Sequence, residues 1–373
     1  TTHYYQPLWT LVGGGVYSLA DSRKPMSSVI PKDVTWYQEA AEAFNPKENF
    51  VKTSKGKKIY YDYMVIATGI ETRFDLIPGL VEALEDPTSG VCSNYSSRYV
   101  TKTFETIRKF DSGNAVFTFP STPVKCAGAP QKICYLSESY FSKHGKRDKA
   151  NVKYFAATPV IFSCKKYADE LHKICARRNI EVNLRHNLKE ILPNSKEAVF
   201  DVLDKPGEVV KVPVSCNCII LLPSDFAPKT IRIWISEGGG GWCSSNGITI
   251  NLPKSFSIIS ENRSSNLPTS KTAAAVAAQS KILWNNLYAC LDGKPVESSY
   301  NGYTSCPLVT GYDSLIMAEF DYKLQPMETF PFNQAKERKS MYFLKKMGIW
   351  NGPGAFRKLF HPFADVMKNN TAK

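Results

Sequence analysis

Ala115-Val116-Phe117-Thr118-Phe119 is a run of strand-forming side chains that stops at Pro120-Ser121-Thr122-Pro123. Helical spacing follows from Lys132 to His144, with Ile133, Leu136, Tyr140 and Phe141 on one side. Val152-Lys153-Tyr154-Phe155 reads as the next strand, Lys165 to Asn179 as a helix, and Ile180-Glu181-Val182-Asn183-Leu184 as a third strand. That alternation marks a parallel sheet with right-handed crossovers, so the chain is an α/β protein. Working outward, Val34-Thr35-Trp36-Tyr37 reads as a strand. The stretch Lys57 to Gly69 reads as a strand pair whose apolar run suits the buried interior of such a sheet. Residues 195–222 look antiparallel, with strands around Ala198-Val199-Phe200 and Cys218-Ile219-Ile220-Leu221-Leu222. The stretch 223–265 is rich in Gly and Ser and has little periodicity. Ala273 to Gln279 then has strong helix propensity, with Ser270 or Thr269 as its N-cap.

The 373 residues correspond to two domains at roughly 150 residues each, or to one large α/β body. With 43% hydrophobic and 22% charged residues, the composition excludes disorder as the main state. No apolar run approaches the roughly 18 residues of a membrane-crossing helix. The net charge of +13 favours polyanions or an anionic membrane surface. A nucleic-acid partner is not expected, because neither a zinc spacing nor an aromatic-basic RNA-binding consensus is present. Ten cysteines are too sparse for a disulfide scaffold, and without any C-x-x-C a structural zinc is not expected. The chain begins Thr-Thr-His, with no signal peptide or amphipathic presequence.

Three segments could carry chemistry. Val124-Lys125-Cys126-Ala127-Gly128-Ala129-Pro130 lies between a strand and a helix. A cysteine there sits near a helix N-terminus beside Lys125, and both lower a thiol pKa. Gly302-Tyr303-Thr304-Ser305-Cys306-Pro307-Leu308-Val309-Thr310-Gly311 is a second small-residue turn around a cysteine. Each cysteine also reads as a buried structural thiol, the commoner case. The third segment is the helix starting near Thr269, whose N-terminal amides suit negative charge, such as a reduced flavin's pyrimidine edge. An Ala-rich helix packed closely on a neighbour explains the same residues.

These segments are not independent. His3-Tyr4-Tyr5-Gln6-Pro7, Thr118-Phe119-Pro120, Pro123 through Lys132, Asn266 through Gln279 and Tyr303 through Tyr312 occur in this order in one family. Glu319-Phe320-Asp321-Tyr322 and Glu328-Thr329-Phe330-Pro331-Phe332 add to the match. Over roughly residues 3–222 and 266–361 the chain resembles the mitochondrial sulfide:quinone oxidoreductases, flavoproteins of the two-dinucleotide-binding-domain superfamily. The resemblance implies two Rossmann-like domains of the FAD/NAD(P)-binding type, the first incomplete, with a C-terminal amphipathic membrane-associating segment. Its implied divisions are 1–99 (first part of the FAD-binding domain), 100–222 (second domain), 223–330 (return to the first) and 331–373 (tail).

By the same resemblance, sulfide attacks an oxidised sulfur bridge between Cys126 and Cys306 and leaves a persulfide on Cys306. Cys126 is released as a thiolate that attacks the flavin ring, and two electrons pass through FAD to ubiquinone. The persulfide sulfur goes to a small acceptor such as glutathione or sulfite. Gln6, Ala41, Gly69 (in the Ala67-Thr68-Gly69 turn) and Ala273, Ala274, Ala275 and Val276 match FAD-contacting positions. Cys92 receives no role. The tail interleaves Phe343, Leu344, Met347, Ile349, Trp350, Phe356, Leu359 and Phe360 with Lys345, Lys346, Arg357 and Lys358, as suits peripheral placement on the mitochondrial inner membrane. A tail packed on the protein's own body fits equally well.

Three departures from the family pattern stand out. The strand, GxGxxG turn and helix that hold the FAD pyrophosphate belong upstream of Thr1, and Val12-Gly13-Gly14-Gly15 does not replace them because Ser18 takes the third glycine's place. The family's Gly-Asp-Cys turn before Asn266 is replaced by Ser257 through Ser265, with Arg263 at the Asp position counting back from Asn266, or Glu261, of longer reach, if the alignment slides. An Arg cannot accept the ribityl hydrogen bond that the Asp takes. The tail between Met341 and Trp350 is also shorter. Two alternatives therefore accompany the enzyme reading. One is a non-catalytic truncated or degenerate copy that binds FAD poorly. The other is a flavin-linked NADH:quinone reductase, which the missing nicotinamide fingerprint and the paired cysteine turns oppose.

Overall fold

A computed structural model describes residues 2–45, 47–66, 71–122, 124, 126–213, 218–220, 224–226, 249–251 and 272–350. In chain order, β1 (Thr2–Tyr4) is followed by α1 (Trp9–Gly13), β2 (Arg23–Pro25), β3 (Ala41–Asn45), β4 (Phe50–Thr53), β5 (Lys58–Tyr60), β6 (Met64–Ile66) and β7 (Glu71–Arg73). Next come α2 (Leu80–Glu85), β8 (Val91–Cys92), α3 (Val100–Lys109), β9 (Gly113–Phe119), α4 (Ala129–Lys143), β10 (Ala150–Ala156), α5 (Lys165–Arg177) and β11 (Glu181–Leu184). The remainder is β12 (His186–Leu192), β13 (Glu197–Val202), β14 (Val209–Pro213), β15 (Cys218–Ile220), β16 (Ser224–Phe226), β17 (Thr249–Asn251), α6 (Ala273–Leu291), β18 (Thr304–Val309), β19 (Leu315–Phe320) and α7 (Lys339–Trp350).

The expected βαβ run forms a parallel sheet in the order β11-β10-β9-β15-β8. Strand alternation divides its side chains between two cores. Ala115, Phe117, Val152 and Tyr154 face α1, α4 and α5, where Ile133, Leu136 and Leu171 are buried. Val116 and Phe155 face the other way, toward α2 and the antiparallel sheet β12-β13-β14, where Phe155 stacks on Phe200 at 4.2 Å. The hairpin β18-β19 joins the first core: Leu308, Val309, Leu315 and Ile316 are fully buried there, and β18 packs on α4. That packing brings residues near 306 to the strand-to-helix turn at 126.

Four expectations are corrected. Val34 to Tyr37 is not a strand, because no neighbouring strand pairs with it among the described residues. Cys218–Ile220 does not extend the antiparallel sheet; it lies parallel between the central strand β9 and the edge strand β8 of the main sheet. The apolar run before Gly69 is not an interior strand of that sheet: β6 pairs antiparallel with β17, and Val65 is 42% exposed. The 273–291 helix is capped by Thr272, whose hydroxyl accepts from the Ala275 amide at 3.2 Å, rather than by Thr269 or Ser270. Gly69, Lys125, Arg263, the 227–248 and 252–271 stretches and the tail beyond Trp350 lie outside the described residues.

Two buried polar networks hold the C-terminal hairpin in place. Glu138 of α4 pairs with Arg147 at 3.3 Å and Arg178 at 3.4 Å, and Arg178 reaches on to Glu337 at 2.9 Å and to the Thr310 carbonyl. On β19, the Glu319 carboxylate, 4% exposed, accepts from Tyr303 Oη at 2.7 Å, Gln334 Nε2 at 2.9 Å and both the amide (2.9 Å) and hydroxyl (2.8 Å) of Thr329. Burial alone pushes the Glu319 carboxyl upward, but these donors outweigh it and hold it below the usual range. A depressed folded pKa gives stability that is present above the unfolded value and lost as pH falls through the folded one. Glu319→Gln is therefore expected to cost about 2 kcal/mol at neutral pH, measured by urea unfolding. Its gap to the parent should close on acidification below about pH 4.5.

Candidate active site: a thiol pair beside two lysines

β9 ends at Phe119, and the crossover turn delivers Cys126 to the N-terminus of α4, where its carbonyl accepts the Ala129 amide at 3.1 Å. Tyr95 Oη donates to the same carbonyl at 3.3 Å, pinning the turn from the β8 side. Cys306 enters from β18, opposite Ala318 on β19, and is 4% exposed. The two sulfurs stand 3.8 Å apart although 180 positions separate them in sequence. Gly128 makes the approach possible: a Cβ there would run into Leu308 Cδ2 and lie 2.8 Å from Cys306 Sγ.

Electrostatics divides the pair. Lys132, one turn into α4 and 9% exposed, donates to Cys126 Sγ at 3.7 Å. The hydrogen bond from Cys306, helped against burial by the Lys132 charge, the Gly128 amide and Lys345, holds the Cys126 thiol well below its usual range. Cys306, as the donor in that bond, is pushed well above it, with burial adding to the shift. Lys132 behaves accordingly: burial acts to lower its pKa, but the two thiols outweigh it and raise it. Of the pair, Cys126 is thus the sulfur that ionises more readily and Cys306 the one that keeps its proton, with an ammonium alongside.

Lys132 received no role in the sequence reading, which placed Lys125 beside Cys126 and read Lys345 as one of the tail lysines suited to an anionic membrane surface. A signal for Lys132 was present. A lysine in the first turn of a helix opposes the macrodipole, so its burial there calls for an anion. Lys345 had no comparable signal, because nothing in its local pattern shows which face of α7 packs.

Of the flavin-matched positions, the structure ties the Ala273–Val276 turn to the strand that carries Cys306. Thr272 Oγ1 is 2.9 Å from Thr304 Oγ1, two residues along β18 from Cys306, which ties the start of α6 to the same strand. Ala275 is buried, while Ala273, Ala274 and Val276 are half-buried. The Ala275 and Val276 amides are satisfied by the Thr272 hydroxyl and carbonyl. The methyl side chains of this first turn leave room for close approach to the helix's positive end, so these residues fit a flavin that gains negative charge on reduction. Tyr5, next to Gln6, lies near enough to Lys132 to feel its charge. Ala41 is different: it is exposed on β3 of the sheet β3-β4-β5, which the described contacts do not bring to the thiols. Cys92 is buried in β8, within the core.

No family model matches the chain. The chain is 47% identical over 371 residues to the mitochondrial sulfide:quinone oxidoreductase of Mus musculus, covering 96% of this chain and 82% of the relative. It belongs to the sulfide:quinone oxidoreductase family. The mitochondrial sulfide:quinone oxidoreductase of Dictyostelium discoideum is 43% identical over 356 residues, covering 94% of this chain and 77% of the relative. In fold, the chain superposes on the crystal structure of the Aquifex aeolicus sulfide:quinone oxidoreductase with a TM-score of 0.73 at 18% identity, covering 96% and 84% of the two chains. Membership of this oxidoreductase family implies a flavin-type cofactor.

Adding a methyl group at Gly128 should separate the sulfurs with little change elsewhere. Gly128→Ala is expected to keep the fold, as read by circular dichroism. It should lose most of the oxidised Cys126–Cys306 bridge, as counted by thiol titration after mild oxidation.

Proposed function

We propose that the chain oxidises sulfide at the Cys126–Cys306 pair and passes two electrons to ubiquinone. The observation that carries this reading is the 3.8 Å sulfur pair with the Lys132 ammonium 3.7 Å from one member. A hydrosulfide ion attacks the oxidised bridge at Cys306. A bond forms between the incoming sulfur and Cys306, the bridge bond breaks, and Cys126 leaves as a thiolate. Its depressed pKa makes it the better leaving group, and Lys132 stabilises the charge that it gains. The outer persulfide sulfur then passes to a nucleophilic acceptor such as glutathione or sulfite, and Cys306 returns to its thiol form. Closing the bridge again releases the two electrons.

FAD, when bound, supplies the two-electron acceptor between thiols and quinone. In this reading Gln6, Ala41, Gly69 and the turn Ala273 through Val276 hold it. The division at residues 99, 222 and 330 belongs to the same proposal. So does peripheral placement on the mitochondrial inner membrane: the relatives are named as mitochondrial proteins, and no described helix is long and apolar enough to cross a membrane. Exposed Phe343 and Leu344 on α7 support that placement.

The first test is an absorbance scan of the purified chain after addition of FAD and desalting. A retained flavin band that bleaches with sulfide is expected, and a colourless protein would overturn the enzyme reading. Cys306→Ser should abolish sulfide-dependent quinone reduction while keeping the flavin band. Retained activity would remove Cys306 from the chemistry.

A further inference from the structure

The two sulfurs of the pair are held in different ways. Cys306 lies within β18, opposite Ala318 in antiparallel register and between buried Thr304 and Leu308. A strand bonded along its length gives one residue little room to shift on its own. Cys126 lies instead in the irregular turn between β9 and α4, so the place of its sulfur depends on the bonds of that turn. Its carbonyl has two lone pairs and accepts two donors. One is the Ala129 amide of α4 at 3.1 Å, and the other is Tyr95 Oη at 3.3 Å, which enters from the end of β8. Among the described residues, Tyr95 is the one side chain bonded to this carbonyl.

Tyr95 is itself fixed. It follows the edge strand β8, and its amide donates to the buried Ser93 hydroxyl at 3.2 Å. Its neighbour Asn94, 5% exposed, is wedged against the end of α1: a Cβ on Gly13 would lie 2.1 Å from Asn94 Oδ1. The Tyr95 ring is buried together with Ala129, the first residue of α4, in a small cluster to which Phe119 and Val124 add. Cys126 packs against both this cluster and the core that holds Cys306. A phenol whose backbone is bonded and whose ring is packed can hold its acceptor within a fraction of an ångström, which a turn held by one bond of its own cannot do.

We propose that Tyr95 is a positioning residue for the thiol pair: its phenol holds the Cys126 carbonyl so that the sulfur stands in contact with Cys306, and this sets how readily the pair closes into a bridge. The proposal rests on the reading above in one respect, that the bridge is the oxidised form of the pair. Closure takes the sulfurs from 3.8 Å to about 2 Å with a restricted torsion between them. From contact the remaining adjustment is small. A turn free to drift would present Cys126 to Cys306 for only part of the time, lowering the effective concentration of one thiol at the other. Tyr95 is bonded to the Cys126 backbone and to neither sulfur, so it acts through the position of the residue.

The experiment equilibrates the purified full chain, without sulfide, in mixtures of reduced and oxidised dithiothreitol. Closing the bridge removes two electrons and two protons from the thiols and passes them to oxidised dithiothreitol. Acid quenching, alkylation of the free thiols and peptide mass spectrometry then count the Cys126–Cys306 bridge. Tyr95→Phe keeps the ring and loses only the hydroxyl. It is expected to need an oxidised-to-reduced ratio about fivefold higher than the parent for half closure, the effect of one lost hydrogen bond. Tyr95→Leu, which loses the ring as well, should need a higher ratio still. Urea unfolding of the reduced chains separates positioning from general support, because a tyrosine that only stabilises the fold would lower the urea midpoint and leave the ratio at the parent value. A Tyr95→Phe ratio equal to the parent's would overturn the proposal, whatever happens to the midpoint. So would a shift confined to Tyr95→Leu, which would assign the effect to ring packing. A parent chain that forms no bridge in any mixture would overturn the sulfide reading of the pair and the positioning role with it.

Discussion

An ammonium buried at the wrong end of a helix is the constraint around which this molecule is arranged. Lys132 sits in the first turn of α4, where the helix dipole repels it and water is excluded. Removing an ion from water costs several kcal/mol, and attraction to a thiolate about 4 Å away returns roughly 4 kcal/mol at an effective dielectric of about 20. The lysine and the Cys126 thiolate thus depend on each other. A neutral thiol would leave the ammonium uncompensated, and the ammonium adds to the hydrogen bond from Cys306 in lowering the Cys126 pKa against burial. In the proposed reaction the sulfur facing Lys132 is the one that leaves as an anion.

Holding the second sulfur against the first is a matter of packing. Cys306 reaches Cys126 only because the β18-β19 hairpin lies on α4 with Leu308 and Ile316 fully buried, and because Gly128 presents no side chain at the crossing. The polar networks at Glu138 and Glu319 fix that hairpin from its two ends. Arg178 joins α4 to the segment entering α7, and Glu319 joins β19 to Tyr303, Thr329 and Gln334. Both carboxylates are almost fully buried. They specify where the hairpin sits more than they add net stability, since buried ionic groups recover little beyond their own desolvation.

The parallel sheet serves as a platform for these parts. Side-chain alternation on β9 and β10 builds two separate cores, one carrying the thiol site and one carrying β12-β13-β14. The crossover turn after β9 opens onto the first of these, so Cys126 lies at the carboxyl end of a central strand and at the start of a helix. In open α/β sheets that position gathers function because amides and the dipole converge there.

The sequence by itself determined the βαβ run from Ala115 to Leu184, the helix at Ala273, and the identity of the two cysteine turns. Each of these is written in local periodicity or in motifs a few residues long. It misplaced Cys218–Ile220, because an apolar strand reads alike whether it lengthens an antiparallel sheet or enters a parallel one; only the partners decide. It misread Val34–Tyr37 because strand propensity without a neighbour leaves the backbone bonds unmade. Tertiary structure alone decided that sulfurs 180 positions apart meet, that Lys132 reaches one of them, and that Lys345 on α7 is partly buried. These are contacts between distant segments, set by which faces pack together, and no local pattern encodes them.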